Sequence, residues 1–179
     1  MFFHYVFFCY NYSCKRGIKM DRAQIQNISE NLREQLGLEI PIDFNQIFSL
    51  LSDLDFVTNN EGMVDDGKII KTDNGYSLNL KGNGESLRDR FTIAHELGHL
   101  FLGHVDKYEV LYRRGANELE YEANEFAANL LMPEQEFRDA VNDNLDSDNF
   151  CDIEAVSEIF KVSESAVLTR GKFLGLFAW

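Results

Sequence analysis

Two histidines and a glutamate, His95-Glu96-Leu97-Gly98-His99, interrupt a stretch that is otherwise almost wholly apolar. From Phe91 to Leu102 the sequence reads Phe-Thr-Ile-Ala-His-Glu-Leu-Gly-His-Leu-Phe-Leu. On a helix that pattern is apolar nearly all round, which marks a buried helix. Residues four apart on a helix face the same way, so both imidazoles reach a single metal ion at roughly 2.0–2.1 Å. Glu96, beside the first of them, then faces the water on that ion. This is H-E-x-x-H, the pattern in which two histidines hold zinc and the glutamate is the general base of a hydrolase. The competing reading is two core histidines and a buried ion pair. It needs partners that the helix does not supply, and an unpaired carboxylate in a dry site is costly.

A catalytic zinc takes three protein ligands and leaves the fourth position to water. His104 is the nearest further histidine, but it follows Gly103, where the helix should be ending. The metzincin spacing would put glycine and histidine at positions held by Leu102 and Val105, so that arrangement is excluded. His104 is expected to support a ligand from behind or to lie at the surface. A second apolar-striped helix from about Glu118 to Met132, ended by Pro133, offers carboxylates instead. On a helical wheel Leu119, Ala123, Phe126, Ala127 and Leu130 mark its buried side, while Glu118, Glu122, Glu125 and Asn129 gather on the solvated side. Glu120 alone flanks the buried stripe and is the expected ligand. Asn124, one turn on, is placed to orient Glu120 or a histidine ring. Glu122 stays open as the alternative, because helix ends shift by a residue or two.

The rest of the chain frames these two helices. Ile25, Ile28, Leu32 and Leu36 at helical spacing, followed by Gly37, predict a helix over 21–36, and Asp43 caps a short second one. Short extended pieces at Phe56–Thr58, Gly62–Val64, Lys68–Thr72 and Tyr76–Leu80, separated by Asn-Asn, Asp-Gly and Asn-Gly, predict a small antiparallel meander. An edge strand beside the metal could hold an extended peptide by main-chain bonds. Ser86 with Asp89 resembles a capping box that starts the metal helix near Leu87, and Arg88 and Arg90 in its first turns read as surface or structural ion pairs. Tyr121, Tyr112 and His104 are the candidate oxyanion donors. The Asp- and Asn-rich stretch from Asp139 to Glu154 lacks the glycine of a calcium loop and reads as a solvated linker. Two short helices follow at 152–160 and 163–174, with Ser163 as a cap; their glutamates suit packing or a protein partner rather than a phosphate backbone.

At 179 residues the chain fits one domain. A net charge of −13 argues against non-specific nucleic-acid binding, which depends on neutralising phosphates, and permits a basic protein partner. Cys9, Cys14 and Cys151 form no C-x-x-C pair and no disulfide framework, which suits a reducing, cytoplasmic compartment. Residues 1–19 are aromatic and then basic. The apolar run is too short for a membrane span, and its charges follow the run where a signal peptide has them before it. Met20 begins a more ordinary sequence, so 1–19 is expected to be an extension outside the fold, with a weak membrane-surface segment as the alternative; no membrane partner is expected.

Arg-Phe-Thr-Ile-Ala-His-Glu-Leu-Gly-His at 90–99, with Glu-Tyr-Glu-Ala-Asn-Glu-Phe-Ala-Ala-Asn-Leu-Leu-Met-Pro at 120–133, resembles the ImmA/IrrE family of metallopeptidases. The resemblance implies an α+β, zincin-like fold: metal-binding helices on a small antiparallel sheet, with a C-terminal helical pair. It implies zinc on His95, His99 and Glu120, with Glu96 as catalytic base. It further implies an endopeptidase that cleaves a helix-turn-helix repressor and so switches on mobile-element, prophage or stress genes. Some members carry their own N-terminal DNA-binding domain; this chain leaves no room for one, so a stand-alone protease is expected. The expected layout is an extension at 1–19, the metallopeptidase domain at 20–138, and an acidic linker with the helical pair at 139–179. A non-catalytic regulatory or toxin–antitoxin binding module and another zinc hydrolase, such as an amidase, are the alternatives; an intact Glu96 disfavours the former.

Overall fold

The structure is a computed structural model and describes residues 19–105 and 116–178. The expected extension, with Cys9 and Cys14, lies outside the described residues but for Lys19, and Tyr112 lies outside them too.

Five of the described helices start where the sequence supplies a side-chain cap. Helix α1 (Arg22–Leu36) opens on a capping box in which the Asp21 side chain accepts from the Gln24 N–H and the Gln24 side chain accepts from the Asp21 N–H; it stops at Gly37 in the left-handed conformation. Helix α2 (Phe44–Leu50) begins at Asp43, which accepts from Asn45 N–H at 2.9 Å. Helix α3 (Leu87–Phe101) begins at Ser86, whose hydroxyl accepts from Asp89 N–H at 3.0 Å. The Asp89 carboxylate turns back to accept from Gly84 N–H, tying down the loop before the helix. Helix α4 (Ala116–Leu131) is followed across Pro133 by α5 (Glu134–Asp143), then α6 (Ile153–Phe160) and α7 (Glu164–Phe173), the last two capped by Asp152 and Ser163.

The protein is of the α+β class, and its small sheet is mixed rather than an antiparallel meander. Strands β1 (Leu54–Val57), β2 (Gly67–Thr72) and β3 (Gly75–Leu80) lie in the order β1-β3-β2. The Asn74-Gly75 signal does form the β2–β3 hairpin, in register from Thr72 opposite Gly75 to Gly67 opposite Leu80. Strand β1 instead runs parallel to β3, Leu54 opposite Tyr76, and Gly62–Val64 forms no strand. A tight turn fixes only the pair it joins; the connection from Val57 to Gly67 is long enough to cross over, so pairing there is decided by packing. Strand β2 is left at an edge, alongside α3.

The acidic stretch expected as a linker from Asp139 contains the second half of α5, whose Phe137, Ala140 and Val141 are buried one helical turn apart. Helical spacing of these three outweighs the surrounding Asp and Asn. Arg90 is no surface ion pair: it donates to Ile42 O at 2.8 Å and Lys161 O at 3.0 Å and lies over the Phe44 ring, joining three segments. Arg88 pairs with Asp66 at the surface. Buried Arg170 donates to Met132 O at 3.1 Å and to Asn129 Oδ1 at 2.8 Å, which fastens α7 to α4. Among the described residues no helix is long and apolar enough to cross a membrane.

Helix α3 lies at the centre. Ile93, Ala94, Leu97, Leu100 and Phe101 are buried, in one apolar cluster that runs from Met20 to Val167. Its contact with α4 is tight at Gly98, where a Cβ would lie 3.0 Å from Ala123 O and 3.2 Å from Phe126. The glycine inside the motif therefore sets the distance between the two helices. Gly98→Val would drive methyl groups into the α4 backbone and cost about 1–3 kcal/mol as an overpacked core change. Urea denaturation measures it, and an unchanged midpoint would contradict this account of the helix contact.

Candidate metal centre

His95 and His99, one turn apart on α3, point their Nε2 atoms at the same spot, 3.0 Å from each other. Glu120 arrives from the facing α4, with Oε2 3.2 Å from His95 Nε2 and Oε1 3.4 Å from His99 Nε2. Ligand atoms of all three lie within 4.8 Å of one another. Two ligands held about 2.0–2.1 Å from a tetrahedral ion are about 3.3 Å apart, so the spacing and the nitrogen, nitrogen, oxygen donor set both fit a metal ion. The Gly98 contact makes this possible, because it brings α4 near enough for a glutamate side chain to span the gap.

The polar groups around the centre raise and lower one another. Burial disfavours a charged His95, but its hydrogen bond to Glu120 and the carboxylates of Glu96 and Glu120 outweigh this and raise its pKa. Hydrogen bonds with His95 and His99 hold Glu120 well below the ordinary carboxylate range. Burial pushes Glu96 up, against the pull of His99 and His95.

Glu96 is only 7% exposed and is held by strand β2, whose Ile69 N–H donates to Oε2 at 2.8 Å. Gly67 permits this closeness. A Cβ there would collide with the Thr92 methyl and lie 3.2–3.3 Å from the Glu96 side chain. In the sequence Asp66-Gly67 carries only a turn signal, so neither the role of Gly67 nor the Ile69 donor could be read from it.

Behind the histidines stand two different partners. His95 Nδ1 is 3.0 Å from Asn124 Oδ1, so Asn124 reaches a ring from one turn beyond Glu120. His99 Nδ1 is 3.0 Å from His104 Nδ1, and His104 Nε2 is 3.1 Å from Glu122 Oε2. Glu122 Oε1 in turn accepts from Met20 N–H at 2.9 Å. His104 is therefore buried against a histidine of the centre, not at the surface.

The helical wheel misplaces Glu122 and Asn129, and Glu125 beside them keeps only 13% of its side-chain surface exposed. Glu122 and Asn129 are 1% and 3% exposed rather than solvated. The wheel allows one packing face, whereas α4 is covered by α3, by the start of α1 at Met20 and by α7 at Arg170. What α4 leaves open is a strip with Glu120, Tyr121 and Asn124. Tyr121 turns away from the centre, where its hydroxyl accepts from Arg22 Nε at 2.7 Å. A cleft of about 630 Å³ lies over the centre, walled by Asp66 to Ile69 on the sheet side and by Asn124 and Glu120 on the other.

The sequence pattern of one family, Peptidase_M78, described as the IrrE N-terminal-like domain, matches residues 56–172. Among solved structures a Mycobacterium tuberculosis transcriptional regulator is similar in fold, with a TM-score of 0.58 and 18% identity over 90% of this chain. The match takes in 49% of that protein, so this chain spans about half its length. No curated protein matches the sequence.

Glu122→Ala would remove the acceptor of two buried donors, Met20 N–H and His104, and cost about 2–4 kcal/mol by the penalty for burying unsatisfied polar groups. Glu118→Ala breaks only a half-exposed pair with Lys19 and should change stability by about 0.5 kcal/mol or less. Chemical denaturation of both variants checks the contrast, and equal effects would contradict it.

Proposed function

The chain belongs to the Peptidase_M78 family, the IrrE N-terminal-like domain, and on that premise we propose that it is a zinc-dependent endopeptidase acting on a helix-turn-helix repressor. The observation that carries the reading is the convergence of His95 Nε2, His99 Nε2 and the Glu120 carboxylate at 3.0–3.4 Å, beside a buried glutamate.

The proposed ligands are His95, His99 and Glu120. Zinc bound there would bring the pKa of its water toward about 7 and polarise the scissile carbonyl. Glu96 is the base that takes the proton from the attacking water and delivers it to the leaving amine. The Ile69 N–H holds one oxygen of its carboxylate, which leaves the other for the cleft.

The imidazole protons have one consistent arrangement. If His99 offers the Nε2 lone pair to the metal, its proton sits on Nδ1 and is donated to His104 Nδ1. His104 then carries its proton on Nε2 and donates it to Glu122 Oε2, while Glu122 Oε1 accepts from Met20. His95 likewise donates Nδ1–H to Asn124 Oδ1. Both rings are thus oriented by an acceptor on the side away from the metal.

Strand β2, at the sheet edge along the cleft, is the proposed support for an extended peptide. A chain of net charge −13 suits a basic protein such as a DNA-binding repressor better than it suits DNA. We take residues 20–138 as the catalytic unit, with 139–179 as its acidic connection and helical pair, acting in the cytoplasm.

The test incubates zinc-loaded protein with the repressor encoded beside its gene and follows the products by mass spectrometry. Wild type should yield two fragments from one site, and Glu96→Gln should lower the rate at least about a hundredfold, at the low end for a lost general base. A repressor left intact by wild type but bound by it would favour the non-catalytic module instead.

A further inference from the structure

We propose that a second cavity, between α3, α4 and α7, is a subsite for one large apolar side chain of the substrate, of the Leu, Met or Phe class, next to the bond that is cut. The inference rests on the endopeptidase reading and adds a substrate class to it. The cavity holds about 760 Å³ and borders the cleft over the metal centre: Asp66, Phe91, Thr92 and Asn124 line both. Asn124 is the residue that bonds His95, so the mouth of the cavity lies one side chain from a proposed ligand. A peptide whose carbonyl reaches the centre can therefore drop a neighbouring side chain past Asn124 and Thr92.

The chemistry of the walls selects what enters. Phe91, Ala128, Met132, Ala166 and Phe173 supply them, and Phe173 leaves 42% of its surface exposed. The two alanines make the room, since each faces the cavity from a helix that could carry a larger residue. Charged groups at its edge are engaged with one another. Arg88 pairs with Asp66, Arg170 with Glu125 and Asn129, and Arg22 with Glu125 and Tyr121. A charged side chain entering here would lose water and displace one of these pairs, whereas an apolar one loses only its contact with water. Peptides long enough to lie along β2 and reach this cavity would thus be chosen by one apolar residue, a degree of selection that suits cutting at one site in a folded regulator.

The test uses zinc-loaded full-length protein and a synthetic library of blocked decapeptides with every position randomised, read by mass spectrometry of the cut sites. Wild type should favour Leu, Met or Phe over Ala, Asp and Lys by at least about tenfold at one position adjoining the cut, the scale expected for filling an apolar pocket. Ala166→Trp, on α7, and separately Ala128→Trp, on α4, should each reduce that preference about tenfold while bound zinc and the far-ultraviolet circular dichroism stay as in wild type. Cleavage without an apolar preference beside the cut, or a preference that survives whichever of the two variants is folded, would overturn the subsite and leave the endopeptidase reading standing. A wild-type dimer that either substitution converts to monomer would overturn it in favour of a second copy as the occupant. Failure of wild type to cut any peptide or the neighbouring repressor would overturn both readings together.

Discussion

A carboxylate or an imidazole in a dry helix must find a partner, and α3 carries three such groups within one turn and a half. The rest of the structure can be understood as meeting that requirement. Glu96 is met from the sheet, by the Ile69 N–H across a gap that only glycine at position 67 allows. The histidines are met from α4, which can come close enough because residue 98 has no side chain. Had either glycine been larger, the carboxylate of Glu96 or that of Glu120 would be held away from the histidines, and the motif would lose the partners that make its burial tolerable.

The same requirement links the centre to the start of the described chain. His99, His104, Glu122 and the Met20 N–H form an unbroken series of hydrogen bonds at 2.9–3.1 Å, passing from a proposed ligand to the entry of α1. Burial makes each link stronger and each missing partner more costly than it would be at the surface. The entry of α1 is thus a support of the centre, reached through α4, although it lies far from the motif in sequence.

How much of this was legible beforehand depended on the range of the interaction. Caps at Asp43, Ser86 and Ser163, and the stop at Gly37, are local and legible because they need only a few consecutive residues. His95 and His99 could be set side by side for the same reason, and the structure gathers Glu120 with them. Pairing between distant segments was not legible. Strand β1 joins β3 in parallel because packing, not a turn, decides it. Glu122 and Asn129 are buried by helices that a wheel drawn for one helix does not include. Gly67 looked like an ordinary turn residue, since the sequence carries no mark for close approach to a side chain twenty-nine positions on.

In the proposed centre one metal ion joins α3 to α4 through His95, His99 and Glu120. A crystal structure of the zinc-loaded protein, with anomalous diffraction recorded on both sides of the zinc absorption edge, addresses it directly. A single anomalous peak is expected about 2.0–2.2 Å from His95 Nε2, His99 Nε2 and an oxygen of Glu120, with Glu122 still bonded to His104. A peak on Glu122 or His104, or none in the cleft at saturating zinc, would contradict it.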